Sequence, residues 1–222
     1  MSRLAQRAAW WVRDYAYAAV WQLRAAVDRT DPVPLEAGAG TPIVILPGVY
    51  ETWRFLQPLI VALHARGHPV HVVALARRNG APVAELAGLV AEELRERDLH
   101  DVVLVAHSKG GLVGKAAMLR RDAAGRIRGM VAVAAPFGGS RYARLMWGRT
   151  LRSLSPTDAT IRALSHETAV NARIVSVYGR FDPHIPEGSM LPGAKNVELD
   201  TGGHFRILAH PRVMAEVAAL AE

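Results

Sequence analysis

Ser108 lies in the stretch Val102–Gly114, VVLVAHSKGGLVG, where an apolar run stops abruptly on a hydroxyl between a histidine and a lysine. A serine hydroxyl is a weak nucleophile until a base takes its proton. That base in turn needs an acid to fix its tautomer and stabilise its charged form. Both partners occur downstream, Asp182 in GRFDPHIP and His204 in TGGHFRIL. Asp158 in SPTDATIRAL is a rival acid, or simply the start of a helix, whereas Asp200 is too close to His204 in sequence to be chosen. His107 and His184 flank these positions and are expected to pack or support. The chain has no cysteine, which removes a thiolate nucleophile, disulfides and thiolate zinc sites. No histidine–carboxylate spacing suggests a metal site, and no cofactor is expected.

The elements that would position these residues alternate along the chain. PIVILPG, VHVVAL, DVVLVAH, IRGMVAVAAP, ARIVSVYG and KNVELD read as short, β-branched apolar strands. Between them WRFLQPLIVALHARG, PVAELAGLVAEELRERD and KGGLVGKAAMLRRD have helical periodicity, and PRVMAEVAALAE closes the chain as a helix. About six apolar strands separated by helices imply a mostly parallel sheet covered on both faces. Ligands of such sheets bind beyond the carboxyl ends of the strands. Ser108, Asp182 and His204 each follow a strand, as does the Pro47-Gly48-Val49-Tyr50 loop. A sharp strand-to-helix turn would project Ser108 above the sheet, with Ala106 and Gly110 as the small neighbours such a cramped backbone needs. The helix then starts at Lys109, whose N–H would point at the reacting centre and whose ammonium is expected to face solvent.

Residues 1–30 read as an amphipathic helix, 31–41 as a Pro/Gly linker and 42–222 as one domain. Leu4, Ala8, Trp11, Val12, Tyr15, Ala19, Leu23 and Ala26 share one face, and Trp10, Tyr17 and Trp21 share the opposite one with several arginines, where they either pack the helix onto the sheet or meet a lipid surface. Arg13 and Asp14 interrupt any signal-peptide core or membrane span, so a cytoplasmic location is expected. The formal charge is +7, and the window Arg120–Arg152 holds eight arginines against Asp122 alone. That balance, with the aromatic–arginine face of the first helix, suggests peripheral contact with an anionic membrane surface. Nucleic acid is not expected as a partner, because the basic window carries no recognition motif.

LPGVY, AHSKGG, GRFDPHIP and GGHFRIL, in this order, resemble the α/β-hydrolase fold, in particular its small bacterial lipases and esterases, over roughly residues 41–222. The resemblance implies a Ser108–Asp182–His204 triad, an oxyanion hole from the Val49 and Lys109 N–H groups, and cleavage of carboxylic esters, small or lipid. It leaves open thioesterase, acyltransferase or peptidase chemistry on the same residues, or a non-catalytic binding module. Two residues depart from the family pattern: Ala106 replaces the first glycine of G-x-S-x-G, and Pro47 replaces the histidine many lipases carry before Gly48. The antiparallel strands that open larger members have no counterpart, and the amphipathic helix stands in their place. Residues 138–165 fall where the family places lids or pocket walls. There Tyr142, Leu145, Met146 and Trp147, together with Tyr50, are the expected lining of a small, open acyl pocket.

Overall fold

A computed structural model describes residues 3–73 and 79–222. Six strands, β1 (Ile43–Leu46), β2 (Val70–Val72), β3 (Val102–His107), β4 (Ile127–Val133), β5 (Ile174–Phe181) and β6 (Lys195–Gly202), form one sheet. Their order is β2-β1-β3-β4-β5-β6 and every pairing is parallel. The last two residues of VHVVAL lie outside the described residues.

Side-chain alternation divides the core into two layers. Val44, Leu46, Leu104, Ala106, Met130 and Ala132 point to one face, where α3 (Val83–Glu96) and α4 (Lys109–Leu119) cover them. Ile43, Ile45, Val103, Val105, Val131 and Val133 point to the other, under α2 (Gln57–His64) and α7 (Pro211–Ala221). Burial on both faces explains why the inner strands β1, β3 and β4 read as largely apolar runs, whereas the edge strand β6 is mostly exposed. The chain moves outward from β1 to β2 and then returns across β1 to β3, so the sheet's switch point lies between β1 and β3. The loops after those two strands carry Gly48–Glu51 and Ser108.

The first helix, α1 (Arg3–Val27), packs with the face that carries Trp10, Tyr17 and Trp21. Asp14 and Ala18 are buried, and Trp10, Tyr17, Trp21 and Ala25 are half-buried. This i, i+4, i+7, i+8, i+11 series meets the second layer, with Tyr17 edge-on to Phe55 at 6.3 Å. Leu4, Trp11, Val12 and Leu23 face outward instead, while the partly exposed Tyr15 reaches His184 and Phe205. Both sides of α1 are apolar, and the larger aromatic surface is the one that gets buried.

The basic window is also less free than its composition implies. Arg120 pairs with Asp122, Arg126 with Asp98 and Arg128 with Asp101, all before or at the amino end of β4 and away from the strand carboxyl ends. Only its later part, Arg141–Arg152, runs through the segment after β4, which contains α5 (Arg149–Arg152) and is followed by α6 (Ala159–His166). No helix among the described residues is long and apolar enough to cross a membrane.

Candidate active site

Ser108 occupies the turn between β3 and α4 at φ 51° and ψ −122°. That backbone is strained for a residue with a side chain, at a cost of about 1–3 kcal/mol. The strain is held by packing on both sides. The Ser108 N–H donates to the Val133 carbonyl, and the Gly111 N–H donates to the Ser108 carbonyl, each at 2.9 Å. A Cβ at position 110 would sit 2.1 Å from the Leu46 carbonyl oxygen, so only glycine lets α4 start this close to β1.

The turn presents the Ser108 hydroxyl to His204, with Oγ 3.0 Å from Nε2. His204 Nδ1 lies 2.8 Å from the Asp182 Oδ2. A carboxylate can only accept, so Nδ1 carries the proton and Nε2 is left to accept from the serine. The second Asp182 oxygen accepts the His184 and Ile185 N–H groups at 2.7 and 3.0 Å. Burial alone would raise the Asp182 carboxyl. The His204 charge and these hydrogen bonds outweigh it and hold the group below its ordinary range.

His107 does more than pack. It is fully buried, with Nδ1 2.8 Å from Glu51 Oε2 and Nε2 2.9 Å from the His204 carbonyl oxygen. Both partners are acceptors, so both ring nitrogens carry protons and His107 is an imidazolium paired with Glu51. Burial opposes that charge, but the Glu51 carboxylate and the two hydrogen bonds prevail and raise its pKa. The same Glu51 oxygen accepts the Gly48 N–H at 2.8 Å. One ion pair thus ties the loop after β1 to the residue before Ser108 and to the backbone of His204.

Around this network the structure redistributes several expected residues. Asp158 stands apart: its carboxylate accepts the Thr160 N–H at 2.9 Å and caps α6. The Lys109 side chain does not face solvent. Its ammonium is buried against the Asn79 and Ala81 carbonyls, at 2.8 and 2.6 Å, and burial pushes its pKa down to about 8. His184 stacks on His204 with centroids 4.6 Å apart, and burial, then the His204 charge, lowers it to about 4.

A cavity of about 300 Å³ opens over Ser108 and is lined by Val49, Tyr50, Met146, Leu151, Leu154 and Ile185, among others. Tyr50 and Met146 were expected there. Leu145 and Trp147 are instead 81% and 94% exposed outside it, and Tyr142 borders a separate groove with Trp11. Leu145 and Trp147 sit on the outer side of a 3₁₀ turn (Arg141–Leu145) and the bend after it, so their sequence neighbours Ala143 and Met146 face inward. Val49 borders the cavity beside Ser108, and Lys109 is the first residue of α4. A Cβ at Gly48 would come within 3.1 Å of the Ser108 Cβ, which shows how closely that loop passes the hydroxyl.

Sequence reasoning missed two acids, Glu51 and Asp14. Asp14 was read as a charge that breaks a membrane span. Its position between Trp10 and Tyr17/Ala18 at helical spacing was the available signal.

No protein-family model matches the chain, and no curated protein matches it. Solved structures do. A mature lipase of Bacillus licheniformis superposes with a TM-score of 0.69 at 18% identity, over 88% of this chain and 96% of the lipase. An extracellular α/β-hydrolase from a Paenibacillus species gives 0.55 at 18% identity, over 82% of this chain and 98% of that one. A hydrolase from Oleispira antarctica gives 0.57 at 12% identity, over 87% and 97%. At such identities the likeness is one of fold, and together with the all-parallel six-stranded sheet it identifies this chain as an α/β-hydrolase fold.

Proposed function

We propose that the protein is a serine hydrolase of carboxylic esters. The observation that carries this reading is the Ser108–His204–Asp182 hydrogen-bond chain at the floor of an apolar cavity. Ser108 Oγ attacks the ester carbonyl while its proton passes to His204 Nε2. Asp182 holds the other ring nitrogen and stabilises the imidazolium. The carbonyl oxygen, now an oxyanion, is received by the Val49 and Lys109 N–H groups, the latter at the positive end of α4. Collapse of the tetrahedral intermediate breaks the bond to the alcohol, which leaves with the proton from His204. Water then repeats the sequence on the acyl-enzyme, releases the acid and restores Ser108.

The cavity lies at the small end of ligand pockets, which run from roughly 300 to 1,000 Å³, so short to medium acyl chains should fit best. Lipid esters come within reach if the exposed rim rests on a surface. Tyr50, exposed at the cavity, and Leu145 and Trp147, exposed on either side of the cavity-lining Met146 in sequence, would offer that rim in place of the half-buried Trp10, Tyr17 and Trp21, with Arg144 and Arg149 beside them in sequence. A panel of p-nitrophenyl esters from acetyl to palmitoyl tests both parts. Turnover should peak at intermediate chains, and the palmitoyl ester should react faster in anionic than in zwitterionic vesicles at low salt. No turnover of any ester would overturn the hydrolase reading, and equal rates in the two vesicles would remove the surface.

The titrating groups set the acid side of the pH profile. Asp182 is held below its ordinary range and His184 lies at about 4, so neither takes up a proton between about pH 5 and 7. Any loss of kcat/KM with falling pH over that range should therefore come from a group other than these two. An acid limb steeper than unit slope there would mean that a second group, such as His184, also takes up a proton in that range.

A further inference from the structure

We infer that Asp14 is a positioning residue: the α1 carboxylate fixes the backbone that carries His204, and α1 is thereby part of the working site. The inference rests on the proposed hydrolase reading of Ser108 and His204. Asp14 is fully buried and lies 190 residues before His204 in the chain. Its Oδ2 accepts the His204 N–H at 2.8 Å, and its Oδ1 accepts the Phe205 and Arg206 N–H groups, both at 2.8 Å. These donors sit at the start of the 3₁₀ turn Arg206–Ala209, whose N-cap residue Phe205 offers no capping side chain. Charged acceptors make the stronger class of hydrogen bond, and this one carboxylate takes three.

With Asp14 in place, every polar group of His204 has a partner. Its N–H donates to Asp14 and its carbonyl accepts from His107. Its Nδ1–H donates to Asp182, and its Nε2 accepts from Ser108. Asp182 sets the orientation of the ring, whereas Asp14 and His107 set the position of the backbone from which the ring hangs. Glycine at 203 is what allows the approach. It has φ 121°, and a Cβ there would lie 2.4 Å from Asp14 Oδ1. The helix touches the site at two further points. The Tyr15 hydroxyl is 2.9 Å from His184 Nε2, on the ring that stacks against His204, and Gln22 lines the cavity.

Asp14→Asn is the informative substitution. Its one carbonyl oxygen can still serve Phe205 and Arg206, but its NH₂ then faces the His204 N–H, donor against donor. Displacing a reacting group by about 1 Å can cost about 100-fold in rate. In the full-length protein, active sites are titrated with a fluorophosphonate, and kcat, KM and the labelling rate are then expressed per titrated site. Asp14→Asn is expected to lower kcat and labelling rate per site by about 10- to 100-fold, with KM within about threefold of wild type. A mere brace for the fold would reduce the number of sites without changing the rate at each. Per-site rates within about twofold of wild type would overturn the inference. Asp14→Glu, which keeps the charge but pushes the carboxylate against Gly203, is read in the same way should the asparagine variant not fold. Absence of labelling in the wild-type protein would count against Ser108 as nucleophile, a separate failure from that of Asp14.

Discussion

Ser108→Ala is expected to lower ester turnover by on the order of 10⁴ or more while leaving the protein folded. The hydroxyl is the atom that would form the acyl bond, and no neighbouring side chain on the Lys109 side replaces it, since the Lys109 ammonium is engaged by the Asn79 and Ala81 carbonyls. Folding should barely register the change. The turn at Ser108 is held by the Val133 carbonyl and by the glycines of α4, and alanine keeps those contacts. The hydrogen bond lost to His204 is worth about 0.5–1.5 kcal/mol in a typical case. A thermal melt close to wild type, together with turnover lowered by about 10⁴ or more, is the outcome the geometry requires. Near wild-type hydrolysis would move the nucleophile elsewhere.

Asp182→Asn and Asp158→Asn should differ by orders of magnitude although the chemical change is the same. At position 182 an amide beside His204 Nδ1 favours the wrong tautomer, and loss of turnover by about 10⁴ is expected. At position 158 the side chain only caps α6 through the Thr160 N–H, 2.9 Å away. Asparagine caps about as well as aspartate, so stability should shift by no more than a few tenths of a kcal/mol and turnover should hold. Steady-state kinetics on the two variants compares them directly. A larger loss at Asp158 would transfer the acid's role to it.

How much of this was legible in the sequence depended on the range of the interactions. The sheet was legible because burial on both faces writes itself into the inner strands as local apolar runs, from Ile43–Leu46 to Ile174–Val177. Ser108, Asp182 and His204 were legible because a parallel sheet delivers the ends of its strands to one edge, so their relation follows from topology without any contact being known. Long-range pairings were not. Lys109 faces inward because the Asn79 and Ala81 carbonyls receive its ammonium, and nothing near residue 109 announces that. Arg126 and Arg128 find Asp98 and Asp101 across the fold, so counting charge along a window overstated the free cation there. The orientation of α1 was ambiguous for a different reason: both of its sides are apolar, and the choice lies with Phe55 and the glycines at 202 and 203 that receive Trp10 and Asp14. The pocket wall was legible in part: Tyr50 and Met146 line the cavity as expected, whereas Ala143 lies inward and Leu145 and Trp147 are exposed.

The central claim, that Ser108 is a nucleophile activated by His204, is tested most directly by locating the adduct of a fluorophosphonate probe by peptide mass spectrometry. The account predicts one modified residue, Ser108, in the wild-type protein and no labelling of Ser108→Ala, with labelling of Asp182→Asn greatly slowed. An adduct on any other residue, or a wild-type protein that the probe does not modify, would contradict it.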